Sequence, residues 1–313
     1  MANVPVYMSY EDLRKSLEAE DPQDIVRPGK IYFKDDYLFI NEYMKGVHVL
    51  DISDLSSPDP VSYIPVPGNV DMAIKDDILY LDSYTDLVLI DVSDPANPSE
   101  NMRIQDILEY TLPDYDYDYP LAEIDEEEGV VVSFEVKKHT QEIYSNPYPY
   151  PIFRSYMEVD MLSSSIAPMG GGAAGSTYGV AGSMARFLTY DDYLYMLQSN
   201  NMLKIVDISA VDTPTVEYEK YAGWGLETMF IYEEHLYLGA TDGMYIFDIR
   251  SPKNPILTSV YQHITSCDPV VVSGNLAYVT LRSGNRCGGN EDLLEVIDIE
   301  DKYNPCLLYT SDA

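Results

Sequence analysis

A segment of twelve residues recurs five times along this chain and constrains its fold more than any other feature of the sequence. Each copy is an apolar run that contains one aspartate, and a proline follows seven residues after that aspartate. Apolar residues on both sides of the aspartate predict a strand that is buried on both faces. The copies occupy residues 47–58, 87–98, 203–214, 244–255 and 294–305.

The repeated aspartates are predicted to cap turns. In the second copy Asp91 is followed by Ser93, Asp94 and Pro95, which are residue types that favour a sharp turn. Carboxylate and hydroxyl oxygens can accept hydrogen bonds from the free backbone amides of such a turn. A catalytic carboxylate need not occur once per repeat, so the structural role is the better interpretation. The five aspartates are Asp51, Asp91, Asp207, Asp248 and Asp298.

A second element precedes each repeat and predicts a tight hairpin. It consists of an apolar strand, two turn residues and a second strand that carries leucine and aromatic residues. The turn residues are Asp-Asp in three copies, Glu-Glu in the fourth and Gly-Asn in the last, which favours a two-residue loop. Each hairpin is followed by a repeat strand and by a final strand after the proline. The hairpins occupy residues 31–40, 72–81, 187–196, 229–238 and 270–279.

Four antiparallel strands in about forty residues are typical of a β-propeller blade. Asp51 and Asp91 are 40 residues apart, but Asp91 and Asp207 are 116 apart, which indicates one hidden, degenerate blade with an insertion. The predicted fold is therefore an all-β propeller of six four-stranded blades, with residues 130–134 as the second strand of the third blade. Residues 1–29 form an N-terminal segment, residues 30–313 form the propeller, and the insertion covers about residues 136–183. The pattern is lost after Pro305, so we expect a fragment of a larger ring that continues with further blades.

The repeated core of the form Leu-x-Ile-Val-Asp-Ile-Ser-Asp-Pro resembles the LVIVD-repeat family of β-propellers. The resemblance covers about residues 30–305, and five copies make it specific for the fold. It implies a bacterial surface protein or lipoprotein, because the family occurs in such proteins. No catalytic residue is implied.

The charge of the chain limits its partners. Fifty-three acidic residues against nineteen basic residues give a formal net charge of −34. Nucleic acid and anionic membrane surfaces would repel such a chain, which leaves cations, basic partners and neutral sugars. The sequence contains no run of about eighteen apolar residues, so it predicts no membrane-spanning helix. The first residues lack the features of a signal peptide, so either the chain is cytoplasmic or its export signal lies outside it. The resemblance to the LVIVD-repeat family implies the second alternative, an extracellular or cell-surface protein.

The cysteines predict one disulfide, and the acidic loop around Asp116 does not predict a metal site; no cofactor is expected. Cys267 and Cys287 fall on the same face of the last blade, and a disulfide between them would stabilise an exported protein by about 3 kcal/mol. Asp114, Asp116 and Asp118 have the spacing of a calcium loop. However, Tyr119 occupies the position where that loop requires glycine, so no metal site is predicted.

One face of the predicted propeller collects the irregular connectors, and binding sites usually lie on such loops. The innermost strands begin at this face, which places charged residues around the mouth of the central channel. These groups either hold a polar ligand or pair with one another. Trp224, the only tryptophan, lies on the same face. Its side chain is either a stacking platform for a sugar ring or a packing residue. The residues predicted at the mouth are Lys30, Asp71, Arg186, Glu227, Thr228 and Asp268.

The sequence favours a non-catalytic binding or interaction module. We expect an unidentified protein or glycan ligand, bound by Asp71, Arg186, Trp224, Glu227 and Asp268. The alternative is a propeller enzyme that acts on glycans with Asp71, Glu227 or Asp268. Such an enzyme needs two carboxylates at a defined separation, one of them with a raised pKa.

Overall fold

The computed structural model describes residues 1–15, 17–140, 180–181, 186–262, 270–281 and 292–312. The chain divides into two compact units. The first unit contains Met1–Gly29, Asp36–Val70 and Tyr80–Ser163, and the second contains Lys30–Asp35, Asp71–Leu79 and Ser164–Ala313. The described secondary structure is almost entirely antiparallel β-sheet.

The N-terminal segment contributes a strand and one turn of helix. β1 (Ala2–Met8) is followed by α1 (Tyr10–Leu13), and the Ser9 side chain accepts a hydrogen bond from the Asp12 amide at 3.1 Å as the helix cap. Leu13 is buried against Tyr84 and Val130 in the core of the first unit.

The first two blades follow the predicted order of four strands. In the first sheet the order is β11-β2-β3-β4-β5, and in the second it is β6-β7-β8-β9. The strands of the first blade are β2 (Pro28–Lys34), β3 (Tyr37–Glu42), β4 (Gly46–Asp51) and β5 (Asp59–Pro65). Those of the second are β6 (Met72–Lys75), β7 (Ile78–Ser83), β8 (Asp86–Asp91) and β9 (Ser99–Ile104).

The third sheet has two strands in the described part of the chain. β10 (Val130–Lys137) pairs antiparallel with β1, and the 3-10 helix η1 (Glu126–Glu128) precedes it. β10 begins at the strand predicted from residues 130–134, but its pairing with the N-terminal strand has no counterpart in the other blades. The short strand β11 (Val180–Ala181) pairs with β2.

The last three sheets are regular four-stranded blades in sequence order. The fourth blade contains β12 (Phe187–Tyr190), β13 (Tyr193–Gln198), β14 (Met202–Asp207) and β15 (Thr215–Tyr221). The fifth contains β16 (Leu226–Tyr232), β17 (His235–Ala240), β18 (Gly243–Asp248) and β19 (Ile256–Gln262). The sixth contains β20 (Val270–Ser273), β21 (Leu276–Leu281), β22 (Leu293–Asp298) and β23 (Cys306–Asp312). These six sheets confirm the predicted propeller fold and its degenerate third blade.

The repeated aspartates cap turns, as predicted. Each accepts a hydrogen bond from the backbone amide two residues later, at 2.8 Å for Asp91 and Ser93 and at 2.9 Å for Asp207 and Ser209. The same contact is present at Asp51, Asp248 and Asp298. The residue after the aspartate also binds the hairpin turn of its own blade, since the Ile208 amide donates to the Asp192 carbonyl at 2.8 Å. The two kinds of turn therefore lie together at one end of the blade.

The hairpin loops have two residues, as predicted, and their first residue has a left-handed backbone. Asp35, Asp76 and Asp191 have φ values of 52°, 52° and 49°, and Glu233 has a φ of 53°. Only Gly274 fills this position with the residue type that adopts positive φ without a steric penalty.

Apolar side chains between adjacent blades form the core of the second unit. One cluster joins the fourth and fifth blades and includes Leu203, Leu226 and Leu238. Another joins the fifth and sixth blades and includes Ile246, Val279 and Ile297. The two faces of the fifth blade pack in different clusters, since Leu236 and Phe247 belong to the first and Tyr237 and Ile246 to the second. This explains why the repeat strands are apolar on both faces. The predicted disulfide between Cys267 and Cys287 lies outside the described residues.

Candidate functional site

Trp224 lies in the connector between the fourth and fifth blades, and 57% of its surface is exposed. The flanking residues Ala222, Gly223 and Gly225 are buried. The backbone of this connector is therefore packed into the second unit while its tryptophan side chain faces solvent. Since large aromatic side chains gain more than any others from burial, this exposure is costly.

Three backbone hydrogen bonds hold the connector in place. The Ala222 amide donates to the Asn201 carbonyl at 2.9 Å, and the Leu226 amide donates to the Asn200 carbonyl at 2.7 Å. On the other side, the Thr241 amide donates to the Gly225 carbonyl at 2.9 Å. The connector is thus fixed between the β13–β14 loop and the β17–β18 loop.

The two glycines beside Trp224 permit this close packing. Gly225 has a φ of +64°, and a Cβ atom there would lie 2.0 Å from the Thr241 hydroxyl oxygen. A Cβ atom at Gly223 would lie 2.8 Å from the Leu226 side chain and 3.0 Å from the Tyr245 ring. A larger residue at either position would displace the connector.

Three further side chains complete a polar and aromatic patch around Trp224. Tyr221 ends β15 and is 62% exposed. The Tyr245 hydroxyl forms hydrogen bonds with the Asp242 carboxylate at 3.2 Å and with the backbone of Trp224. Burial raises the pKa of Tyr245, and the negative charge of Asp242 raises it further, so the phenol stays protonated. We call Tyr221, Trp224, Asp242 and Tyr245 the Trp224 surface.

Asp71, predicted at the channel mouth, is buried in the second unit. Its carboxylate accepts hydrogen bonds from the Met72 amide at 2.7 Å and from the Arg186 amide at 2.6 Å. The Lys30 ammonium lies 4.0 Å from the same carboxylate. Burial raises the pKa of Asp71 and lowers the pKa of Lys30, while the attraction between the two charges opposes both shifts.

Arg186 connects this buried pair to the loop that supports Trp224. Its backbone binds Asp71, and its guanidinium donates to the carbonyl oxygens of Leu197, at 3.3 Å, and Ser199. Ser199 directly precedes Asn200 and Asn201, which accept hydrogen bonds from the Trp224 connector. Asp71 and Arg186 therefore stabilise the base on which the connector rests.

The other predicted residues have different environments. Glu227 is partly buried at a register shift in β16, and Thr228, the next residue, is fully buried. Asp268 lies outside the described residues. The structure thus links Asp71 and Arg186 to the Trp224 connector through hydrogen bonds and the backbone of residues 199–201. Sequence patterns did not indicate Asp242, Tyr245, Asn200 or Asn201. These residues contribute to the site through contacts between loops, which the sequence does not specify.

The environment of Asp71 is unsuited to a general acid that must reach a substrate. Its raised pKa is a property that such an acid would share. However, both carboxylate oxygens bind backbone amides, and the side chain is only 3% exposed. Among the described residues, no cluster of three or more histidine, cysteine or acidic side chains could hold a metal ion. The described helices are also too short to cross a membrane.

A protein-family model described as the LVIVD repeat matches residues 29–62, 70–106 and 181–220. The chain therefore carries LVIVD repeats, and its resemblance to that family is confirmed. No curated protein matches the chain.

Three solved structures that match the chain are distant from it in sequence. A protein from Lactobacillus plantarum is 10% identical, with a TM-score of 0.51, and the match covers 88% of this chain and 68% of that one. The β-propeller domain of Cps50 (Swd1) from Myceliophteria thermophila is 13% identical, with a TM-score of 0.45 and coverages of 89% and 70%. BamB from Moraxella catarrhalis is 9% identical, with a TM-score of 0.45 and coverages of 88% and 58%. The chain spans about three fifths of the length of several matched structures.

Proposed function

We propose that this chain is a non-catalytic binding module that is exposed at a bacterial surface and binds its partner on the Trp224 surface. A propeller with LVIVD repeats is suited to such a role, since rigid blades present loops of variable sequence. The family also occurs in bacterial surface proteins, which supports the proposed location. Surface labelling of intact cells would test this location, and labelling only after lysis would contradict it.

The observation that carries the proposal is an exposed tryptophan on a fixed backbone. Leaving more than half of this side chain in water forfeits about 2 kcal/mol of hydrophobic stabilisation. The hydrogen bonds to Asn200, Asn201 and Thr241 hold the connector before any partner arrives. A preorganised aromatic group costs little entropy on binding, which is the property of an interface hot spot.

The other predicted site residues have distinct roles in this proposal. Asp71 and Arg186 are positioning residues, because their contacts support the loop beneath the connector. Glu227 lies three residues after Trp224 and is proposed to contact the partner beside it. Asp268 is proposed to lie on the same face. The alternative of a propeller enzyme that acts on glycans gains no support from the buried, amide-bound carboxylate of Asp71.

The proposal is tested by substituting Trp224 and measuring binding to immobilised peptides and glycans. Trp224→Ala removes the exposed ring, and we expect at least a tenfold loss of affinity, as is typical of a hot-spot aromatic residue. Tyr303→Ala is the matched control, because Tyr303 is a 70% exposed aromatic residue in the Asp-Pro turn of the sixth blade. Equal affinity of the Trp224→Ala variant and the native chain would contradict the proposed site.

A further inference from the structure

We propose that the partner bound by the Trp224 surface presents cationic side chains, as an arginine-rich or lysine-rich peptide segment does. This inference rests on the proposed function and specifies the chemistry of the partner. Cations lie favourably over the faces of aromatic rings, tryptophan most of all. The Trp224 surface exposes one tryptophan and one tyrosine beside the carboxylate of Asp242.

The net charge of the chain favours such a partner at long range. A formal charge of −34 attracts basic segments and repels acidic ones before contact. This attraction is screened by salt, since the Debye length is about 10 Å at 0.1 M ionic strength. Electrostatic attraction and aromatic contact thus favour the same class of partner.

The basic side chains on the flanking strands are already engaged. Lys204 lies 3.3 Å from the Glu219 carboxylate, and the Lys220 ammonium lies 5.0 Å from the centre of the Tyr218 ring. The Arg186 guanidinium binds backbone carbonyls. These groups bind within the second unit, whereas the rings of Tyr221 and Trp224 are exposed.

Cation–aromatic contacts also occur within the chain itself. The Arg27 guanidinium lies 4.1 Å from the Tyr43 ring centre, and that of Arg14 lies 4.9 Å from the Tyr10 ring centre. Both arginines also pair with a carboxylate, at 2.6 Å between Arg27 and Asp114 and at 2.9 Å between Arg14 and Asp86. An incoming arginine between Trp224 and Asp242 would have the same two kinds of contact.

The only tryptophan of the chain is the reporter for a direct test. The intrinsic fluorescence of the native chain is titrated with an arginine nonapeptide, a glutamate nonapeptide and the neutral oligosaccharide maltohexaose. We expect the arginine peptide alone to shift the emission of Trp224, and its affinity to fall about tenfold or more between low salt and 0.5 M salt. Collisional quenching of the free chain should be stronger with caesium than with iodide, because the surroundings are negative.

Variants separate this site from general attraction to an acidic protein. Binding of a labelled arginine nonapeptide is followed by anisotropy, and Trp224→Ala and Asp242→Asn are each expected to weaken it about threefold to tenfold. Asp301→Asn is the control for loss of one negative charge, because Asp301 lies in the Asp-Pro turn of the sixth blade. This variant should leave the affinity for the arginine peptide nearly unchanged.

Two outcomes would overturn the inference, and they differ in what they say about the proposed function. If maltohexaose shifts the emission and the arginine peptide does not, the partner is a neutral glycan and the binding function stands. If the arginine peptide binds equally well to the native chain and to Trp224→Ala, attraction is general and the proposed site is also wrong.

Discussion

At the scale of single residues, the aspartate of each repeat acts through one short hydrogen bond. Its carboxylate accepts the backbone amide two residues later, as at Asp51 with Ser53 at 2.8 Å. At Asp91 and Asp207, hydrogen bonds from the following serine hydroxyl and amide hold the pKa of the carboxyl group below its ordinary value. The repeated aspartate therefore stays ionised as the cap of its turn, and its lowered pKa does not suit proton transfer at neutral pH.

Glu42 is a buried carboxylate whose effect on stability depends on pH. It accepts the amides of Val26 at 3.0 Å and Arg27 at 2.8 Å, and it lies 3.2 Å from the His48 ring. Burial alone would raise the pKa of Glu42, but these hydrogen bonds outweigh burial and hold it below its ordinary value. A depressed pKa contributes stability above the ordinary pKa of about 4.3, and this stability is lost as the pH falls through the folded-state value.

We therefore predict that Glu42→Gln destabilises the chain most at neutral pH. Denaturant unfolding of the native chain and the variant, from pH 7 to acidic pH, measures the difference in unfolding free energy. The difference should shrink as the pH falls below about 4.3, because the native Glu42 becomes protonated. A difference that stays constant or grows in acid would contradict this assignment.

At the scale of elements, the hairpin and the Asp-Pro turn were readable from the sequence, but two features were not. A register shift occurs between the third and fourth strands just before the repeated aspartate, as at Leu89/Ile90 and Ile205/Val206. This shift lies within a continuous apolar run, where no residue type marks it. The pairing of β1 with β10 was also unpredicted, because it joins residues more than a hundred positions apart.

The left-handed backbone at the first position of each hairpin turn predicts opposite effects on stability for two substitutions. Glu233→Gly should raise the unfolding free energy by about 0.5 kcal/mol, because glycine relieves the left-handed strain at φ +53°. Gly274→Ala should lower it by about 1 kcal/mol, since φ is +60° there. Nothing lies within 4 Å of the added Cβ atom, so this variant isolates backbone strain. Thermal unfolding measures both, and effects of the same sign would contradict the explanation.

At the candidate site too, some features could be predicted from the sequence and others could not. Trp224 could be selected from the sequence because it is the only tryptophan and falls in a connector. The hydrogen bonds that fix this connector come from two other loops, and sequence patterns do not specify loop contacts. Pairing of Asp71 with a neighbouring charge was one of the two alternatives for the channel-mouth residues, and Lys30 lies 4.0 Å from its carboxylate. Whether Asp71 also contacts a ligand stays a prediction.

At the scale of the whole molecule, the net charge of −34 affects stability as well as binding. Like charges at this density repel one another in the compact state, and salt screens that repulsion. We predict that raising the salt concentration from about 0.02 M to 0.5 M increases the melting temperature by about 3–5 °C. An equal osmolarity of sucrose is the comparison for effects other than charge. A melting temperature that falls with salt would mean that ion pairs outweigh repulsion.

The repeats explain why the fold was largely predictable. Five of the six blades carry the same hairpin, buried strand and capped turn, and these copies specify their antiparallel sheets. The third blade departs from that pattern, and there the N-terminal strand β1 supplies a pairing that the repeat does not encode. Function is less predictable, because the repeated residues build the scaffold, while Tyr221, Trp224 and Asp242 lie between the copies.

The most direct test of the central claim is a hydrogen-exchange footprint of the chain with a bound partner from the peptide or glycan screen. The claim is that the partner binds the Trp224 surface, so protection should increase in residues 221–227 and 241–245. Residues 51–58 and 91–98, in the Asp-Pro turns, should exchange at the same rate with and without the partner. Protection of the Asp-Pro turns, with unchanged exchange around Trp224, would contradict the claim.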